Sequence, residues 1–221
     1  CYKEWLEEFP GLDAVCYGEG EIPMMWLAQA IANGLDTEIT KSLRARIELY
    51  ANPSWQTRHT LGTPENSLTD LDTIPPYDLS MLQYPEDYIN TNNGAFTLGT
   101  ESGGRDISMF ATRGCRYRCS SCSSQFVHGH KVRRYSVNRI KDDIMYYWTE
   151  YGTTSFPFLD DDFLSDKKAA LEILAFIAEN EFTSRIFNVQ YLHVDRDIVK
   201  ALKATGTDRI LITVDGLNEQ F

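Results

Sequence analysis

Three cysteines, Cys115, Cys119 and Cys122, stand in the spacing C-x₃-C-x₂-C within Cys115-Arg116-Tyr117-Arg118-Cys119-Ser120-Ser121-Cys122. Three thiolates can ligate three irons of a cubane cluster, whereas an electron-transfer cluster takes four cysteines, so one iron of a 4Fe–4S cube would keep an open position. An open metal position is what allows a metal site to bind a substrate instead of only holding a fold together. Zinc is the competing metal. It takes a fourth Cys or His, which His128 or His130 could offer, and usually two separated ligand pairs. A disulfide framework belongs to short secreted chains with dense, even-numbered cysteines and does not describe this one.

The elements around the cysteines follow from periodicity and caps. Ile107–Thr112 reads as a strand that delivers the loop through the turn Arg113-Gly114. Ser136 is placed to cap a helix running to Tyr151, with Ile140, Ile144, Tyr147, Trp148 and Tyr151 on one face and Gly152 as its stop. Ser155–Leu159 is a second strand, ending in Asp160-Asp161-Asp162-Phe163. Ser165 is expected to cap a helix over Lys167–Asn180 whose apolar positions include Leu171, Leu174, Phe176 and Ile177. A third strand, Ile186–Val194, would let Asn188, Gln190 and His193 alternate along it. A helix Asp197–Thr205 stopped by Gly206, and a fourth strand Arg209–Val214 ending at Asp215, complete a βαβαβαβ series. Crossovers of that kind make a parallel sheet with active residues at the C-terminal strand ends. Those ends carry the cysteine loop, Asp160–Asp162, His193-Val194-Asp195 and Asp215.

Upstream, Glu4–Phe9 reads as a helix stopped by Pro10-Gly11, and Leu12–Tyr17 as a short strand. The turn Gly18–Glu21 and a helix over Ile22–Asn33 follow, making half of an α/β unit. Five of the eight prolines fall within 51–94, marking a linker. Cys1 and Cys16 read as small buried hydrophobes.

The C-x₃-C-x₂-C motif after a strand is similar to that of the radical S-adenosylmethionine (SAM) superfamily. The motif Phe158-Leu159-Asp160-Asp161-Asp162-Phe163 resembles the F-x-D-D-x-F of the cobalamin-type subgroup. Leu71-Asp72-Thr73-Ile74-Pro75-Pro76-Tyr77-Asp78 resembles the connector that joins that subgroup's two domains, and the D-x-V-x-x-G-E-G-E segment resembles the end of its cobalamin-binding domain. The resemblance implies an α/β fold with a partial, TIM-like (βα) radical SAM barrel of parallel strands, preceded by the tail of an α/β cobalamin-binding-type domain. The domains would be 1–50 for that tail, 51–94 for the linker and 95–221 for the N-terminal part of the barrel. About half the chain follows Cys115, room for four strands where the family's barrel has six βα units, so a fragment is expected.

The resemblance also implies an enzyme and its cofactors. A 4Fe–4S cluster on Cys115, Cys119 and Cys122 would chelate SAM through its amino and carboxylate groups and cleave it reductively to a 5′-deoxyadenosyl radical. Tyr117, Asp160, Asp161 and Asp215 would contact SAM. Cobalamin would be a further cofactor, held by residues upstream of this chain. The implied partners are a small-molecule substrate and an electron donor such as a flavodoxin or ferredoxin, and the reaction a methyl transfer or rearrangement. An RNA-modifying methylthiotransferase shares the cysteine motif, and a zinc-stabilised binding module is the non-enzymatic alternative. The family usually has an aromatic residue immediately before the third cysteine, where this chain has Ser121.

Charge and composition agree with these expectations. With 21 basic and 32 acidic residues the net charge is −11, which does not suit a nucleic-acid partner. A basic patch does surround the cysteines: Arg113, Arg116, Arg118, Lys131, Arg133, Arg134 and Arg139. It suits an anionic cluster and the SAM carboxylate, or a solvated basic loop. No apolar run is long enough to span a bilayer and no signal peptide is visible, so no membrane partner and a cytoplasmic, reducing location are expected.

Overall fold

The computed structural model describes residues 8–9, 18–32, 68–89, 105–120, 122–207 and 210–212. In chain order these form α1 (Glu21–Ala32), α2 (Pro85–Ile89), β1 (Thr112–Arg113), α3 (Ser124–Val127), β2 (Arg133–Arg134), α4 (Val137–Tyr151), β3 (Ser155–Phe158), α5 (Lys167–Glu179), β4 (Thr183–Ile186) and α6 (Arg196–Ala204). The chain divides into two compact units, one of 1–69 with 114–132 and the other of 70–113 with 133–221. Cys1, Cys16, the expected strand 12–17, the linker up to residue 67, Ser121 and Asp215 lie outside the described residues.

The second unit is an α/β layer built on parallel pairing. β3 and β4 pair in parallel from Ser155↔Thr183 to Phe158↔Ile186. On the other side of β3, Asp106 and Met109 form parallel bridges to Ser155 and Phe158. The strand expected over Ile107–Thr112 is therefore present as an interrupted one, and Pro157 is the cause. Its carbonyl accepts from the Met109 N–H at 2.8 Å, but proline has no N–H to return, so the ladder is broken into bridges. All four residues of β3 are buried, as expected of a parallel strand covered on both faces. Val189 bridges in parallel to Ile212, within the expected fourth strand.

Caps fix the helices. Ser136 Oγ accepts from the Arg139 N–H, and Gly152, at φ 64°, closes α4 by returning its N–H to Trp148 and Tyr147 carbonyls. Ile140, Ile144 and Tyr147 are buried, but Trp148 is 46% exposed and only lays its ring 5.9 Å from Phe182. α5 is capped by Asp166, which accepts from the Ala169 N–H, not by Ser165. Its buried residues are Ala169, Ala170, Ile173, Leu174 and Ile177. Of the expected apolar positions Leu174 and Ile177 are buried, and Leu171 and Phe176, at the margins of the stripe, are half-buried. β4 begins three residues before the expected third strand. Asn188, at φ 54°, ends the extended run, and Tyr191–His193 is a 3₁₀ turn, so Asn188, Gln190 and His193 do not alternate along a strand.

The connector is an ordered strap and not a plain loop. Two 3₁₀ turns, Leu71–Thr73 and Leu79–Met81, are capped by Asp70 and Asp78. α4 then holds the strap along its length. Asp72 Oδ1 accepts from the Ser136 N–H at 2.8 Å, and Arg139 donates to the Asp72 carbonyl at 2.7 Å and to that of Ile74. The Tyr77 N–H donates to Tyr147 Oη at 2.7 Å, and the Leu79 N–H to Tyr151 Oη at 3.1 Å. Leu71 and Ile89 are fully buried. Among the described residues no helix is long and apolar enough to cross a membrane.

Tyr147→Phe removes the acceptor of a part-buried backbone N–H while keeping the ring. It should cost about 1 kcal/mol of unfolding free energy, read from urea denaturation. An unchanged midpoint would show that the strap is not held through this bond.

Candidate functional site

The cysteine loop belongs to the first unit. Gly114 opens it at φ +91°, and a Cβ there would fall 2.6 Å from the Lys131 carbonyl oxygen. Only glycine allows the two ends of the loop to approach so closely. Cys115 is half-buried, Cys119 and Cys122 are exposed, and no disulfide links any pair of them. The Cys122 N–H donates to the Cys119 carbonyl at 3.1 Å, making a turn between these two cysteines. Tyr117 is half-buried. His128, one of the two potential zinc ligands, places Nδ1 3.0 Å from Oε1 of Glu19, a residue only 3% exposed. Among the described residues no three His, Cys, Asp or Glu side chains stand together at metal-binding spacing. The donor set itself, three thiols of which two are exposed on a glycine-hinged loop, has the soft ligand chemistry that iron–sulfur clusters use.

A second group of polar residues gathers at the C-terminal end of β3, within the second unit. Asp160 is fully buried. Its carboxylate accepts from the Ala111 N–H at 3.0 and 3.1 Å and from Thr112 Oγ1 at 2.5 Å. Asp162 is 1% exposed and its Oδ1 lies 3.4 Å from His193 Nδ1. Asp161, between them, is half-buried. The flanking phenylalanines of the motif, Phe158 and Phe163, pack ring on ring at 4.8 Å and are both fully buried. They seat the acidic turn so that its first and third carboxylates face inward.

Thr112 is a member of this group that the sequence did not single out, and Arg134, expected only as part of the basic patch around the cysteines, is another member. Arg134 donates to the Phe163 carbonyl at 3.2 Å and to Ser165 Oγ at 3.1 Å. The clue available was position: Arg134 is in the strand that directly follows the loop. The expected basic patch also divides. Arg116, Arg118 and Lys131 are exposed and Arg133 is buried, while Arg134 is bonded as above. Arg139 is bonded to the strap and pairs with Asp143 at 2.8 Å.

Burial pushes the Asp160 carboxyl up to about 6, against hydrogen bonds from Thr112 and Ala111 that pull it down. With a folded pKa above the unfolded one, the native state binds the extra proton between these values. The stability tied to that proton is present in full below pH 3.8 and lost as pH rises through 6. The difference in unfolding free energy between the natural protein and Asp160→Asn should therefore fall from pH 4 to pH 7, by a total on the order of 3 kcal/mol. A pH-independent difference in urea titrations would mean that this carboxyl does not titrate in a buried site.

Comparison with known proteins gives a consistent family. A family model described as the radical SAM superfamily matches residues 109–221. An uncharacterised methyltransferase of Pyrococcus horikoshii is 29% identical over 98% of this chain and 43% of its own length. A cytidylyl-2-hydroxyethylphosphonate methyltransferase of Streptomyces wedmorensis is 28% identical over 74% of this chain and 33% of its own length. The chain thus spans less than half the length of these curated relatives. Among solved structures, the radical SAM methyltransferase TsrM of Kitasatospora setae, with cobalamin and a 4Fe–4S cluster bound, aligns at a TM-score of 0.47 and 18% identity. That alignment covers 53% of this chain and 22% of TsrM.

Proposed function

The chain belongs to the radical SAM superfamily, and from that premise we propose that Cys115, Cys119 and Cys122 hold a 4Fe–4S cluster whose fourth iron is open to SAM. The observation that carries this reading is the C-x₃-C-x₂-C loop itself, delivered by the segment that pairs in parallel with β3 and opened by a glycine that no other residue could replace. The chemistry such a cluster supplies when bound is one electron to SAM, cleaving a C–S bond to release methionine and a 5′-deoxyadenosyl radical.

The roles of this chain's own residues follow. The three thiolates bind the metal cluster and leave one coordination position for the cosubstrate. Tyr117, on the same loop, offers a ring to SAM. Asp161, shortly after β3, and Asp215 offer carboxylates to its cationic amino or sulfonium groups. Asp160 is already bonded to Ala111 and Thr112 and contributes through those bonds. Arg116, Arg118 and Lys131, exposed on the loop unit, offset the negative charge of the cluster.

In this reading the whole protein is a methyltransferase with a small-molecule substrate, as the names of its relatives suggest. Residues 1–50 are the tail of a cobalamin-binding domain, 51–94 the linker, and 95–221 the first part of a (βα) barrel. Cobalamin is held outside this chain, and a flavodoxin- or ferredoxin-type donor supplies the electron.

Anaerobic incubation with iron and sulfide should give a brown protein with about four irons and four sulfides per chain. Alanine at any of Cys115, Cys119 or Cys122 should remove most of both. A colourless protein that keeps one zinc per chain would sink this reading in favour of a structural zinc clip.

A further inference from the structure

We infer that Asp160 and Arg134 are positioning residues, clamping the two strand ends between which the cysteine loop is strung and so setting the spacing of those ends. The inference rests on reading Cys115, Cys119 and Cys122 as cluster ligands.

The geometry begins with β1 and β2. They are two residues long and pair antiparallel, Thr112 with Arg134 and Arg113 with Arg133. One further bond, from the Tyr135 N–H to the Ala111 carbonyl at 3.0 Å, extends the ladder. A pairing this short does not sustain itself in water. It is held from the segment after β3 at both of its strands. On the incoming strand, Asp160 takes the Ala111 N–H with both oxygens and the Thr112 hydroxyl with one. On the outgoing strand, Arg134 reaches the Phe163 carbonyl and Ser165 Oγ. Both anchors therefore lie within the six residues 160–165, and Phe163 pins that segment by packing on Phe158.

Burial makes the incoming anchor irreplaceable by solvent. Ala111 and Asp160 are fully buried and Thr112 is 1% exposed. If Asp160 is removed, the Ala111 N–H has no water to turn to. The same burial separates Asp160 from the ligand-contacting role that its motif suggests. A carboxylate with no exposed surface and both oxygens already bonded meets SAM only if β1 gives way. Asp161, between two inward-facing neighbours, is half-buried.

Hydrogen exchange of the full-length, cluster-free protein under anaerobic conditions tests the clamp. Asp160→Ala and Arg134→Met should each speed exchange across residues 111–122 about tenfold, while β3 and β4 keep their protection. Asp160→Asn keeps an acceptor oxygen for Ala111 and Thr112 and should restore most of the protection. Thr112→Val removes only the hydroxyl partner, should show the same local pattern, and decides the matter if Asp160→Ala does not fold. After reconstitution, Asp160→Ala should hold about half or less of the natural protein's iron. Exchange over 111–122 at the natural rate in these variants would overturn the clamp, as would equal acceleration in β3 and β4. Should the natural protein itself take up no iron or sulfide, the cluster reading falls, while the exchange pattern still decides whether these residues clamp the strand ends.

Discussion

A buried carboxylate bonded to the backbone of the neighbouring strand is the contact on which the rest of the second unit turns. Asp160 ends β3 and grips Ala111 and Thr112, so the parallel layer and the short β1–β2 pair become one body. Neither could be moved without the other. Pro157 makes the grip more necessary, because it deprives this side of β3 of one ladder bond. Asp160 returns two donors' worth of bonding just beyond the break. The cost is a carboxyl whose ionisation is opposed by its surroundings, a common trade where a polar group is buried to fix geometry instead of to add stability.

A second layer of the same logic runs along α4. The helix is amphipathic in an unusual way, presenting isoleucines to the core and, around them, Arg139, Tyr147 and Tyr151 to the strap. Each of these bonds takes a backbone group of a segment rich in proline, which cannot make a ladder of its own. The strap therefore borrows order from the helix.

What could be read from the residues was what is decided locally. Ser136 and Gly152 bracket α4 because an N-cap hydroxyl and a left-handed glycine act within one turn. The cysteine spacing, the Phe-x-Asp-Asp-x-Phe motif and the Leu-Asp-x-Ile-Pro connector were legible for the same reason, each being short and contiguous. What depends on contacts across the chain was not. Ser165 and Asp166 are both good caps; Asp166 takes the Ala169 N–H, while Ser165 Oγ accepts from Arg134. Trp148 falls on the apolar stripe, yet the core ends before it. The third strand ends sooner than its pattern suggests because Asn188 adopts a left-handed conformation that an asparagine permits but does not announce. That Asp160 and Asp162, but not Asp161, turn inward is likewise tied to the packing of Phe158 and Phe163, not to the acids themselves.

The proposed cluster on Cys115, Cys119 and Cys122 would be catalytic only with one iron open to SAM. Low-temperature EPR of the reduced, reconstituted protein, recorded with and without SAM, addresses this directly. A cluster ligated by three cysteines predicts a 4Fe–4S signal whose shape and g-values change when SAM is added, since SAM then coordinates the fourth iron. A signal indifferent to saturating SAM would mean a fully ligated, electron-transfer type of cluster, and would contradict the reading of Cys115, Cys119 and Cys122 as a catalytic site.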